Sequence, residues 1–549
     1  MPAIPCLRCH HKALQQSSVY LGHDCIVTGV SNAALSVMTQ DEFRGILTAS
    51  FLKGRKMRAN SWTGAMVKQF HLALQHTVPP MHLKNKATLI QYTLDWLETL
   101  TPEGFAAEMA CITSDTISPD VPMYELPPSL WLNANGSTRH FGSLFALTTC
   151  LSVSTGRTWR VNMMMPLDVV TNDGRVSDPY GLQQDFYILK QGGTDGIMLD
   201  VWWGVAEREG PRQYDFSAYQ EIAGYARDAG LSMQCVMSFH KCGGNSGASD
   251  NTCDIPLPEW VLDVTSNDLD LFYRDQWGGH TDSYLSWAAD WRPVFQGRTA
   301  MGMYSDFMYA FSGAMREYIQ DGTLTEVQVG GGPCGELRYP SYPAGKWAFP
   351  GIGAFQAWGE HLVSDWQLYA ASLGHPEWET PPEDVGNYNT TPPSAVPFFR
   401  DGYKSEYGHA FLTWYSQRLI DHGSSVLSMA QKVFGDTVDL AMKIAGIHWW
   451  YGDATHAAEL TAGYYNLYGQ SGYTPIASMF SEFDTRFDFT CLEMTDASQA
   501  KFNAGCMPEE LVRQTMDDAY GYTTYSGENA LTRYDWSAYA TVEGAMEYK

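Results

Sequence analysis

From Arg160 to the C-terminus, short apolar runs alternate with longer stretches whose apolar residues recur every three or four positions. The runs Arg160–Val170, Asp195–Trp203 and Ser232–His240 read as strands. Helical patterns follow them at Tyr180–Gln191, at Phe216–Ala229 and, after a long loop, around Tyr304–Tyr318. A fourth strand at Thr325–Val329 precedes helical patterns at Phe355–Leu373 and Phe411–Phe434. A fifth strand is expected at Asp439–Trp449, a sixth at Asp488–Met494 and a seventh at Gly521–Ser526. Repeated strand–helix alternation implies a parallel sheet with right-handed crossovers, and seven such units point to an eight-fold α/β barrel rather than an open sheet.

Polar and glycine-rich residues gather just after these strands: Asp173, Trp203-Gly204, His240, Glu336, His448, Thr490 and Glu528. In a barrel all such loops open on one face, where barrel enzymes hold their active sites. Glu336 stands in Gly331–Pro343, a glycine–proline turn that also carries an arginine and two tyrosines. Partial burial among aromatics penalises the charged form of a carboxylate, so this residue is a candidate proton donor. A lone glutamate in a glycine-rich turn is otherwise an ordinary solvated loop residue, and its surroundings must decide.

Composition narrows the partners. The 549 residues are 44% hydrophobic and 13% aromatic with a net charge of −26. Residues 1–158 hold 12 Lys+Arg and 10 Asp+Glu, a balance of +2, which leaves 23 against 51, or −28, in residues 159–549. So acidic a body argues against nucleic acid and anionic membranes; a neutral polyhydroxyl substrate meets no such objection. The charge break divides a 1–158 extension of unknown role, expected to pack weakly on the rest, from a 159–549 barrel. Eleven scattered cysteines read as reduced, buried thiols of an intracellular protein. Cys6-Leu7-Arg8-Cys9-His10 matches a haem-attachment pattern by chance. Phe141–Val153 is too short for a membrane span and resembles the core of a targeting segment in the wrong place, so it is an ordinary strand or helix or the true start lies further in. No metal or cofactor site is expected.

The downstream motifs resemble β-amylases from about Val161 onward. They are, in order, MMPLDVV, GTDGIMLDVWWG with GPRQYDFSAY, MSFHKCGGN, GRTAMGMYSDFM, GGPCGELRYPSYP, GIHWWYGDATHAAELTAGYYNL, FTCLEM and GENALTRYD. The resemblance implies a TIM-type (β/α)8 barrel that removes β-maltose from the non-reducing ends of α-1,4-glucans, starch and maltooligosaccharides, with inversion. It implies Glu336 as general acid and Glu528 as general base, with carboxyls roughly 6.5–9.5 Å apart so that water fits between. Asp173, His240, Lys443, His448, Thr490, Asn529 and Ala530 would contact substrate. Glu493 in FTCLEM is a rival carboxylate, read as supporting the pocket.

Two departures from the family pattern stand out. The loop Gly243–Asp254 matches a mobile lid but is about three residues longer, and Asp250 is the lid aspartate by this alignment. The chain ends at Lys549 after the helical pattern Trp536–Tyr548, where the family continues into an eighth strand bearing a substrate-binding arginine. A barrel lacking that strand would expose an edge, unless the N-terminal segment fills the gap or the sequence is truncated. These departures keep alive a catalytically weak, glucan-binding or regulatory protein as the alternative, with a retaining glycosidase as a third. Plastid or cytoplasm is the expected location.

Overall fold

The computed structural model describes residues 160–548, apart from 245–252, 468, 532 and 534. The 1–158 extension, Cys6–His10, Phe141–Val153 and Asp250 therefore lie outside the described residues. One compact unit comprises Thr158–Arg533 with Ala540–Lys549, and it holds a seven-stranded, wholly parallel sheet in sequence order. Its strands are β1 (Asn162–Met164), β2 (Gly196–Trp202), β3 (Ser232–Ser238), β4 (Leu324–Val329), β5 (Asp439–Ile444), β6 (Thr485–Phe489) and β7 (Tyr525–Gly527). Among the described residues β1 and β7 form the two edges, so the architecture is a TIM-type barrel lacking one strand.

The outer helices begin and end where the sequence supplies caps. Helix α1 (Pro179–Gln191) starts at Asp178, whose carboxylate accepts the Gly181 N–H at 2.9 Å, with proline at the first helical position. Helix α2 (Ser217–Ala229) stops at Gly230, which adopts φ +74. Thr299 caps α3 (Ala300–Ala314), and helix α4 spans Glu360–Ser372. The longest helix, α5 (Glu406–Phe434), is capped by Ser405 on the Gly408 N–H. Helices α6 (Thr474–Glu482) and α7 (Pro508–Ala519) cover β6, and α8 (Trp536–Met546) closes the chain.

Several strand boundaries differ from the sequence expectation. β1 is three residues long because Pro166 and the turn at Val169 end it early. β5 stops at Ile444, and the chain then turns through Ala445–Trp450, where Trp450 adopts φ +60. β6 begins at Thr485 rather than Asp488, and Cys491 at φ +65 takes the chain out of extended conformation. In each case the apolar run continues past the strand, because the loops at this barrel mouth are themselves buried.

The barrel interior is unusually polar. Asn162 donates to Gln234 at 3.0 Å, and Ser238 pairs with Asp200. Gln328 on β4 reaches Asp488 on β6. Contributions from alternate strands to one layer are the packing rule of such barrels. These pairs hydrogen-bond most of the buried polar atoms they contain, leaving the Asn162 and Gln328 side-chain carbonyls without a partner among the described residues.

Candidate active site

Beyond β4 the backbone must turn sharply inside packed surroundings. A Cβ at Gly332 would lie 2.4 Å from the Glu336 carbonyl oxygen, and Cys334 and Gly335 adopt φ +58 and +74. The turn delivers Glu336 with its side chain 12% exposed. Its Oε2 accepts from Arg338 Nε at 2.5 Å, a charge-assisted contact to a completely buried guanidinium. Arg338 also donates to the Tyr339 carbonyl at 3.2 Å and lies over the Tyr342 ring at 4.1 Å. Glu336 thus sits against a fixed cation as well as the aromatics foreseen from sequence.

At the end of β7, Gly527 leaves room for Leu492, whose side chain would lie 2.5 Å from a Cβ there. The next residue, Glu528, is held by its N–H on the Phe489 carbonyl at 2.8 Å. Its Oε1 lies 2.6 Å from Lys443 Nζ, as an ion pair rather than an aligned hydrogen bond. Lys443 on β5 also receives the Leu337 N–H on its carbonyl at 2.8 Å, which fixes the turn bearing Glu336. Burial disfavours the Lys443 ammonium, but the charges of Glu528 and Glu336 outweigh it and hold the lysine above its ordinary range. One cation therefore serves both carboxylates.

Glu493 has a different place. Its two oxygens accept from the backbone N–H groups of Ala530 and Leu531 at 3.1 and 2.9 Å. Burial pushes its carboxyl up, and these backbone hydrogen bonds oppose the shift. It clamps the segment that follows Glu528. Asn529 Nδ2 bonds the Leu531 carbonyl at 2.8 Å, and the Ala530 N–H donates to Glu493.

The other sequence candidates fall at the same mouth in different environments. His240, after β3, is buried against Trp202 at a ring distance of 5.2 Å, and its Nδ1 has no hydrogen-bond partner among the described residues. Burial first, then the charges of Lys443 and Arg338, push its imidazole down to about 3, so it is neutral. His448 is buried beside Trp449, with Nδ1 3.3 Å from the Gly446 carbonyl. Thr490 accepts the Gly446 N–H at 2.6 Å, which leaves its hydroxyl proton to donate. Asp173 is exposed and held by Thr171 and Arg175; the Thr171 hydroxyl does most to lower its carboxyl from the ordinary value. Its neighbour Asn172 bonds the Asp254 carbonyl at 2.8 Å, joining the loop after β1 to the end of the Gly243–Asp254 loop.

The cysteine expectation needs correction. Cys242 and Cys253 form a disulfide with Cα atoms 5.8 Å apart, across the base of that loop. Eleven residues of sequence separate them, and no spacing pattern revealed the pair. Cys235, Cys491 and Cys506 are free thiols, and the Cys334 sulfur accepts from Arg338 at 3.6 Å. Among the described residues no cluster of His, Cys, Asp or Glu is arranged to hold a metal, and no helix is long and apolar enough to cross a membrane.

Residues 162–548 match the family model described as glycosyl hydrolase family 14. The chain belongs to glycosyl hydrolase family 14. It is 46% identical over 383 residues to the β-amylase of Vigna unguiculata, an alignment covering 69% of this chain and 76% of that protein. It is 48% identical over 395 residues to β-amylase 1, chloroplastic, of Oryza sativa subsp. japonica, covering 70% and 73%. The crystal structure of the catalytic domain of β-amylase from Paenibacillus polymyxa superposes with a TM-score of 0.59 at 30% identity, over 71% of this chain and 89% of that one. As a family 14 member the chain is a glycoside hydrolase of β-amylase type, as its motifs implied. Arg338, bonded to Glu336, and Asp488, bonded to Gln328 inside the barrel, are residues whose placement the sequence did not disclose. Arg338 is signalled by its place two residues after Glu336; nothing local marks Asp488.

Proposed function

We propose that the protein hydrolyses α-1,4-glucosidic bonds of starch and maltooligosaccharides from non-reducing ends, releasing β-maltose with inversion. Glu336 protonates the departing glycosidic oxygen, and Glu528 takes a proton from the attacking water. The observation that carries this reading is Lys443, which is bonded through its carbonyl to the turn bearing Glu336 and stands 2.6 Å from Glu528. That contact fixes the direction of the Glu528 carboxylate relative to the turn that carries Glu336. Neutral His240 and the Thr490 hydroxyl supply directional hydrogen bonds to sugar hydroxyls, as do His448, Asn529, the Ala530 carbonyl, Asp173 and, by alignment alone, Asp250. Trp449, packed with Tyr342, Trp347 and Phe349 at ring distances of 5.3, 5.3 and 5.8 Å, stiffens the loop that carries His448.

No cofactor enters this chemistry. Relatives named chloroplastic support a plastid location, whereas the disulfide weakens the case from free thiols. Glu336→Gln and Glu528→Gln should each abolish maltose release while leaving the fold intact, and proton NMR of the fresh product should reveal the β anomer. Normal turnover by either variant refutes the assigned roles, and an α product refutes inversion.

A further inference from the structure

A further carboxyl lies inside the barrel beside the proposed reacting pair. Asp488 on β6 is 4% exposed and in register with Lys443 on β5 and with Ser526 on β7. Residues in register on adjacent parallel strands present their side chains to the same face. Ser526 Oγ donates to Asp488 Oδ1 at 3.0 Å, and from β4 the Gln328 amide meets Oδ2. Glu528 follows Ser526 by two residues, one step nearer the mouth on the same face. The charged groups acting on Asp488 are thus Lys443 from β5, Glu528 from the end of β7, and Arg486 from its own strand; Arg486 is paired with Glu326 of β4 and Asp439 of β5.

The environment allows Asp488 to carry a proton. Burial first and the Glu528 charge second push its carboxyl up to about 7, with Lys443 and Ser526 opposing. The Gln328 amide can serve either form. It offers an N–H to the anion, or after rotation its carbonyl, now buried without a partner, to the acid O–H.

We propose that Asp488 is a positioning residue for the base: as a neutral acid it leaves the Lys443 ammonium to Glu528, and as an anion it draws that ammonium inward, so its ionisation sets the alkaline limit of turnover. The proton released goes to solvent. The inference rests on the reading of Glu528 as the base, and it adds a third ionisable group to the cycle.

The test compares wild type, Asp488→Asn, Ser526→Ala and Glu528→Gln as full chains on maltopentaose. In wild type kcat should fall as pH rises through neutrality, and Asp488→Asn should raise the ratio of kcat near pH 8 to kcat near pH 5 by at least about fivefold. Ser526→Ala, which removes a donor to the anion without stranding a charge, should shift the ratio the same way by a smaller factor; it decides the matter if the Asn variant fails to fold. A merely structural Asp488 would change the melting temperature and leave the ratio alone, and that outcome overturns the proposal. Normal turnover by Glu528→Gln would instead show that the base assignment had failed. An inactive Glu528→Gln beside an unmoved ratio would show that the Asp488 inference alone had failed.

Discussion

The ammonium of Lys443 stands 2.6 Å from a carboxylate oxygen of Glu528, while the carbonyl of the same lysine holds the residue after Glu336. Strand β5 lies next to β4 but one strand removed from β7. Lys443 therefore spans the gap through its long side chain, and the two carboxylates are registered against one rigid element.

Lys443→Met tests that arrangement. The thioether keeps the apolar stem and removes the charge, so the barrel should fold, at reduced stability because Glu528 loses its buried partner. A fall in kcat of roughly 100-fold or more is expected, comparable to losing one preorganised electrostatic contact. Steady-state kinetics on maltopentaose would show the loss, and turnover at the wild-type rate would separate Lys443 from the chemistry.

His240 should bind sugar without titrating in the working range. Its imidazole is pushed down to about 3 by burial and by Lys443 and Arg338, so it is neutral throughout turnover. His240→Asn should raise KM by roughly tenfold, the cost of about one good hydrogen bond, and leave the shape of the pH profile unchanged. The sign for stability runs the other way from a paired histidine. The unfolded chain takes up a proton below the ordinary histidine range while the folded chain does not, so stability falls as pH drops from about 6.5 toward 3. That slope should flatten in the Asn variant, as melting temperatures at several pH values would record.

Much of this was legible because barrel chemistry is carried by short segments at strand ends. Glu336 and His240 each follow an apolar run that ends at a glycine or polar turn, so their common face followed from alternation alone, whereas Glu528 stands after the polar run Gly521–Ser526 and rested on its motif. What remained hidden depends on register across the sheet. Asp488 meets Gln328 from 160 positions away, and Glu493 reaches Ala530 and Leu531 across 37 and 38. Strand ends were overextended where buried loops continue the apolar pattern, as after Ile444 and Phe489. The Cys242–Cys253 bridge was missed because the loop's length was read only as an insertion.

Glu493 should matter through the loop it clamps. Glu493→Gln keeps one carbonyl oxygen for two backbone donors, so one of the Ala530 and Leu531 N–H groups loses its partner. The segment carrying Asn529 and Ala530 should loosen, raising KM and lowering kcat by roughly tenfold each, with a stability loss of about 1–3 kcal/mol. Complete inactivation with an unchanged melting temperature would instead return Glu493 to the reacting pair. Kinetics and thermal unfolding on the same preparation make the distinction.

Arg338 offers the last test, because its charge and its shape can be separated. Its guanidinium donates to Glu336 through Nε at 2.5 Å and to the Tyr339 carbonyl at 3.2 Å, and it covers the Tyr342 ring at 4.1 Å. Arg338→Lys keeps a cation but not the planar fork that makes these contacts together. The variant should fold, since the buried carboxylate retains a counter-charge, yet Glu336 should lose its fixed direction and kcat should fall by roughly 100-fold, the scale of small misplacements of a catalytic group. Arg338→Ala removes both features and should destabilise the fold by about 3–5 kcal/mol, as expected when a buried ion pair loses one member. Measuring kcat and urea midpoints for the two variants distinguishes alignment from neutralisation. If the lysine variant turns over at the wild-type rate, charge alone suffices and the geometry of the Arg338–Glu336 contact is not part of the chemistry.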